Sequence, residues 1–159
     1  LTILITKIYN AMEISIQNRN TSYKNIINKI SDKRKQIFEI IVKHNGITAQ
    51  EISRLYKLPI NQITGRITEL KDMCFIKEST VHLNHESGNY CTSYVAVKKM
   101  EEFLHLTNVK YSHLINMKKS LEFDYHYGLS EHTMKYIKKE IKKIESKITR
   151  LDSIQKMAA

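Results

Sequence analysis

The stretch "LPINQITGRITEL", Leu58 to Leu70, decides how this chain is read. Its apolar residues are spaced as in an α-helix, yet Gly65 stands in the middle, where glycine costs about 1 kcal/mol relative to alanine. At about 100° per residue, Ile60, Ile63, Ile67, Leu70 and Cys74 fall within one arc, the expected buried stripe. Asn61, Gly65, Thr68 and Asp72 then run along the centre of the opposite face, flanked by Gln62, Thr64, Arg66 and Glu69. Core packing cannot require a glycine there. A missing side chain lets another molecule come close to the helix backbone, and the neighbours carry donors and acceptors suited to base edges and phosphates. The alternative is a glycine merely tolerated on a solvated surface.

Upstream, "NTSYKNIINKISDKRKQIFEIIVKH", residues 20–44, predicts two consecutive helices broken near Ser31 and Asp32, both good N-cap residues. The second has Ile37, Phe38, Ile41 and Val42 as its apolar face, and Asn45 or Gly46 can supply the left-handed stop. Thr48 and Glu51 match a capping box opening a short helix through Tyr56, with Ile52 and Leu55 inward. Downstream, "CFIKESTVHLNHESGNYCTSYVAVKK" predicts a hairpin. Val81 and Leu83 alternate with His82, and Val95 and Val97 alternate with Tyr94 and Ala96, around the turn "NHESGN". Cys74, His82, His85 and Cys91 have the chemistry of zinc ligands, but their spacing matches no familiar zinc pattern. Strand alternation also places His82 on the face away from Val81 and Leu83, while Cys91 shares the face of Val95 and Val97. No metal or other cofactor is expected.

Three helices followed by a two-stranded ribbon, with a short turn between the second and third helices, resemble winged helix-turn-helix DNA-binding regulators. Residues 32–98 are similar above all to small phage-encoded proteins with a proline-started "PINQITGRITEL"-like helix and a short apolar strand, here "CFI". The resemblance implies that Pro59 to Asp72 is a recognition helix lying in a major groove, and that the ribbon tip, with His85 and Asn89, reaches the adjacent backbone or minor groove. Asn61, Gln62, Thr64, Gly65, Arg66 and Thr68 would then face DNA, with Lys33 and Lys35 at the start of an earlier helix on phosphates. Two departures stand out. Lys57 and Cys74 occupy places where such proteins often have glycine, and each strains a left-handed backbone if that geometry is kept. The wing tip also lacks arginine, which weakens any minor-groove contact from it.

Beyond Lys98 the chain predicts two long helices. The first runs from about Met100 to Tyr125, with Phe103, Leu104, Tyr111, Leu114, Ile115 and Leu121 apolar. "YHYGLSEH" breaks it, Gly128 serving as stop and Ser130 as the next cap. In the second, Met134, Ile137, Ile141, Ile144, Ile148 and Leu151 repeat at alternating spacings of three and four, a coiled-coil seam. The seam can pair with the preceding helix or with a second copy of the chain, and an antiparallel arm that also builds a dimer interface satisfies both. Lys135, Lys138, Lys139, Lys142, Lys143 and Arg150 lie outside it, as a solvated face.

With 159 residues and 42% apolar content, the chain suits one domain with an extension: an N-terminal segment 1–19, a winged-helix domain 20–98 and a helical dimerisation arm 99–159. The fold class is mainly α with a small β-hairpin, the winged helix followed by a helical hairpin or coiled-coil arm. The formal charge of +10 suits a polyanionic partner and is spread evenly, with 13 Lys/Arg against 8 Asp/Glu in residues 1–97 and again in residues 98–159. Two cysteines make no disulfide framework, and a cytoplasmic setting fits, at the nucleoid or in a host cell if the protein is viral. No run is long enough to span a membrane. "LTILITKIYNA" lacks the basic start of a signal peptide, and because the first methionine is Met12, residues 1–11 need not be native. Ile, Lys and Asn, at 23, 21 and 11 residues, fit an A/T-rich coding genome.

No nucleophile and base, phosphate loop or paired carboxylates assemble in the sequence, so an enzyme is not expected. The expected function is sequence-specific binding of double-stranded DNA by a dimeric transcriptional regulator of a phage, mobile element or low-GC bacterium, or by a replication-origin binder. The competing expectation is a protein-interaction module whose arm recruits a protein partner.

Overall fold

A computed structural model of the chain describes residues 17, 21, 24–28, 31–83, 88–127 and 130–158. They form two compact units, one ending at Phe103 and one spanning Leu104–Met157. In the first unit, residues 24–28 are helical. They are followed by α1 (Asp32–His44), β1 (Ile47–Thr48), α2 (Ala49–Tyr56), α3 (Ile60–Asp72), β2 (Ile76–Leu83) and β3 (Tyr90–Ala96). The strands form one antiparallel sheet in the order β1-β3-β2, with Ile47 opposite Tyr94 and Ile76 opposite Ala96. A three-helix core closed by a small sheet, whose long hairpin follows the third helix, is a winged helix-turn-helix.

Local chemistry places each helix. Ser31 is extended and begins α1, and Asn45, at φ 48°, ends it in the left-handed conformation that asparagine tolerates. Thr48 does two jobs: it pairs with Ser93 in the sheet and caps α2. Its backbone N–H donates to Glu51 Oε2 at 2.8 Å, and Glu51 N–H donates back to Thr48 Oγ1 at 3.2 Å, completing the capping box. The turn into α3 is held by the Ser53 hydroxyl, which donates to the Leu58 carbonyl at 2.7 Å.

The backbone hydrogen bond from Thr48 holds the Glu51 carboxyl below the usual glutamate range. A lowered folded-state pKa contributes stability in full above the ordinary value and loses it as pH falls through the lowered one. Acid unfolding of the wild type should therefore steepen below about pH 4. In Glu51→Gln that limb should be flatter, and identical acid limbs in a denaturant titration of both proteins would remove this role for the box.

Lys57 at φ 53° and Cys74 at φ 61° both adopt the left-handed backbone expected of glycine. At Cys74 the reason is visible. Phe75 N–H donates to Leu70 O at 3.0 Å and Cys74 N–H to Lys71 O at 3.1 Å, the paired bonds that terminate α3 in a Schellman motif. The motif demands the conformation, and burial of the thiol side chain offsets part of its strain.

The core of this unit gathers Ile37, Phe38, Ile40, Ile41, Ile52, Ile63, Ile67 and Leu70 around Phe75. The Phe75 ring stacks on Phe103 at 5.5 Å and meets the edge of Phe38 at 6.2 Å. Several expected core positions lie outside it. Leu55 is 54% exposed because the inward stripe of α2 is Ala49, Ile52, Ser53 and Tyr56, about 110° away around the helix. Ile60 is exposed because side chains tilt toward the helix N-terminus, so one in the first turn overhangs the end. Val42 is exposed at the edge of the α1 face, and Ile40 is buried instead.

The ribbon departs from simple alternation. Glu78 pairs with Tyr94 and Val81 with Thr92, so β2 carries one extra residue, a β-bulge. Buried Ser93 fills the interrupted ladder: its hydroxyl accepts from Thr80 N–H at 3.2 Å and donates to Thr80 O at 3.0 Å. The bulge reverses the alternation beyond it. His82 therefore lies directly opposite Cys91 rather than on the other face, and Val81 and Leu83 are exposed. Val97 and Ala96 are both buried while Val95 is half-buried, since Val97 has left the strand and its N–H donates to Phe75 O.

In the second unit, most of α4 (Met100–Tyr125) packs antiparallel with α5 (Glu131–Ala158). Contacts keep one register along the pair. Lys118 Nζ lies 2.8 Å from Glu145, Lys138 Nζ sits 5.2 Å over the Tyr125 ring, and the Gln155 amide donates to Thr107 Oγ1 at 3.3 Å and Asn108 Oδ1 at 2.8 Å. Ser130 caps α5, accepting from Thr133 N–H at 3.3 Å. Gly128, the expected stop, lies outside the described residues. The seam thus closes within the chain. Ile137, Ile144, Leu151 and Ile154 are buried, while Met134, Ile141 and Ile148 are half-buried.

Candidate nucleic-acid interface

The α2–turn–α3 geometry leaves one long face of α3 open. Asn61, Gln62, Thr64, Gly65 and Thr68 are exposed along it, and a Cβ built on Gly65 would meet nothing within 4 Å. Inward, Ile63, Ile67 and Leu70 anchor the helix, so its rotation about its axis is determined by packing. Beside this face lies a groove of about 320 Å³ between α1 and α3, floored by Ile37, Leu58 and Ile63. Lys33 and Gln36 line it from α1, and Asn61, Gln62, Gly65 and Arg66 from α3.

The structure thus gathers Lys33, Asn61, Gln62, Gly65 and Arg66 at one place. Thr64 and Thr68 lie on the outer face, but each hydroxyl donates into its own helix, Thr64 to Ile60 O at 3.1 Å and Thr68 to Thr64 O at 3.0 Å. What they can offer outward is an acceptor lone pair and a methyl group. Asn61 Oδ1 accepts from Gln62 N–H at 2.9 Å, which leaves its amide NH₂ as the donor it can offer outward. Lys35 does not line the groove. Asn89 is exposed just before β3, and His85 lies outside the described residues.

Two residues outside the expected contact set, Glu69 and Arg34, shape the site. Glu69 bonds Arg66 on its own helix and Arg34 on α1, at 2.7 and 2.6 Å. Arg66 is therefore tied back along α3 and only half-exposed. The i, i+3 spacing of Arg66 and Glu69 was a visible signal for one pair. The pairing with Arg34, 35 residues away in sequence, was not.

No protein-family model matches the chain, and no curated protein matches it. Solved structures with some likeness include a point mutant of S. aureus MepR, at 15% identity over 92% of this chain and 96% of that one, TM-score 0.36. The multiple antibiotic-resistance repressor MarR of Listeria monocytogenes aligns at 14% identity over 91% of each chain, TM-score 0.36. Streptococcus pneumoniae FabT in complex with DNA aligns at 17% identity over 92% of this chain and 99% of that one, TM-score 0.38. Likeness of this degree adds nothing to what the chain's own topology shows.

At the wing, the described end of the ribbon presents Leu83 opposite Tyr90, which is 78% exposed, rather than a cation. Among the described residues no cluster of three or more His, Cys, Asp or Glu could hold a metal ion. Cys74 and Cys91 are both buried, on α3's terminal turn and on β3. Among the described residues no helix is long and apolar enough to cross a membrane.

Proposed function

We propose that this chain binds double-stranded DNA in a sequence-specific manner and acts as a dimeric transcriptional regulator. The observation that carries the reading is the open face of α3, where Asn61 and Gln62 flank the bare backbone at Gly65. A helix presenting amide side chains and unobstructed backbone fits a major groove, because Asn and Gln make bidentate hydrogen bonds to adenine and the missing side chain permits close approach. Lys33 on the groove rim supplies a phosphate contact, in keeping with the net charge of +10. Marking a replication origin would use the same reader.

Dimerisation is assigned to the second unit. Of the six seam residues Ile137, Ile144 and Leu151 are buried, so half-buried Met134, Ile141 and Ile148 remain for a second copy of the chain. Two readers would explain specificity, since one winged helix whose wing tip lacks arginine has a small interface.

The test is selection from a library of random duplexes by the purified chain. Enrichment of one inverted repeat supports the reading. A monomer that retains no duplex DNA, yet captures a protein through its arm, overturns it in favour of an interaction module.

A further inference from the structure

Glu69 sits on the flank of α3 where two arginines converge. Its Oε2 lies 2.6 Å from Arg34 Nε, and its Oε1 and Oε2 lie 2.8 and 2.7 Å from Arg66 Nη1. The three side chains are partly buried, at 28%, 29% and 35% exposure for Arg34, Glu69 and Arg66. One carboxylate thus holds two guanidinium groups from two helices, and the cluster keeps a surplus positive charge. Charge-assisted hydrogen bonds of this kind orient as well as attract.

The consequence concerns Arg66. An arginine on a recognition helix ordinarily competes for guanine, whose N7 and O6 accept a bidentate contact. Here Nη1 is directed toward residue 69, toward the C-terminal end of α3 and away from Asn61 and Gln62 near its start. Reaching a base edge with Nη1 would break its bonds to both oxygens of Glu69. Arg34 in turn fixes Glu69 from α1, so the clamp cannot swing with Arg66 alone. Both guanidinium groups keep further N–H donors for an anion.

We propose that Glu69 is a specificity-determining positioning residue: it clamps Arg34 and Arg66 as a cationic pair for a DNA phosphate, and withholds Arg66 from base edges. Reading then falls to Asn61, Gln62 and the surface over Gly65. This rests on the DNA-binding reading of α3, and it gives Arg66, expected to face DNA, a phosphate contact rather than a base contact.

The experiment uses the full chain and two probes: the duplex most enriched from a random library, and a duplex of the same composition with shuffled sequence. Affinities for both are measured across salt concentrations. Glu69→Gln should bind the shuffled duplex about tenfold more tightly at low salt, with a salt slope steeper by about one, so that the specificity ratio falls. Glu69→Asp should restore most of the ratio. Glu39→Gln removes the same charge from an exposed site on α1, and should shift the slope less and leave the ratio alone. Arg66→Met should weaken both duplexes by one common factor, with the base-preference profile unchanged.

A folded Glu69→Gln with wild-type ratio and slope overturns the clamp, as does loss of preference at one base pair in Arg66→Met. Should Glu69→Gln fail to fold by thermal melting, the Arg66→Met profile decides alone. Wild-type protein that binds neither duplex defeats the DNA-binding reading and the clamp with it. Wild-type binding with unmoved variants defeats the clamp only.

Discussion

Gly65→Leu should weaken specific DNA binding by roughly a hundredfold while the protein folds at least as stably as before. The site is exposed and nothing lies within 4 Å of the place a Cβ would take, so the substitution meets no resistance inside the fold. Replacing glycine in the interior of α3 should raise stability by roughly 0.5–1 kcal/mol, since glycine is the poorest helix former after proline. Against DNA, the same side chain would stand between the helix backbone and the floor of the groove, separating Asn61 and Gln62 from base edges together. The loss should be on the order of 2–3 kcal/mol, roughly a hundredfold in affinity. Gly65→Ala should lose much less, because a methyl group intrudes only slightly. Gel-shift titration with the selected duplex, beside a thermal melt, reads both quantities. Tight binding by a folded leucine variant would mean that the glycine is merely tolerated, and that some other face of the domain meets DNA.

Ile144→Asp should unfold the α4–α5 hairpin of the second unit. Ile144 is 5% exposed in the middle of the seam, and an ionised carboxylate there finds neither water nor a partner, a penalty on the order of 4 kcal/mol. Long helices without a packed face are marginal in water, so the helical circular-dichroism signal of the arm should drop. The pair Ile141→Asp with Ile148→Asp acts on half-buried positions. It should leave more helix intact while splitting the proposed dimer, and sedimentation should separate the two outcomes. Core residues Ile37, Phe38, Ile52, Ile63 and Ile67 belong to the other unit, which should keep its fold in both variants. A dimer that survives the double substitution would place the subunit contact elsewhere, with exposed Val109, Met117 and Phe123 on α4 the next surface to test.

Local signals carried much of the architecture. The Thr48–Glu51 capping box, the apolar stripe Ile63-Ile67-Leu70, the exposure of Gly65 and the bounds Met100–Tyr125 all follow from interactions within a few residues, and such interactions are written in adjacent letters. The left-handed turns at Lys57 and Cys74 were readable only through the resemblance to winged-helix proteins, which often have glycine at those places. What failed was inference across elements. The partner face on α4 includes buried Thr107 and half-buried Lys118, so polar letters interrupt the apolar repeat that α5 displays, and only their partners Gln155 and Glu145 explain them. A single extra residue in β2 reversed the alternation of the ribbon, because strand faces have a period of two and one insertion exchanges them. The sequence by itself thus determined a winged helix with an open, glycine-centred face and a coiled-coil seam. Only the tertiary structure decided that the seam closes within the chain and that Arg34, from α1, joins Arg66 on the Glu69 carboxylate. Register and ion pairing between distant segments depend on how packed elements align in space, and no local pattern encodes that alignment.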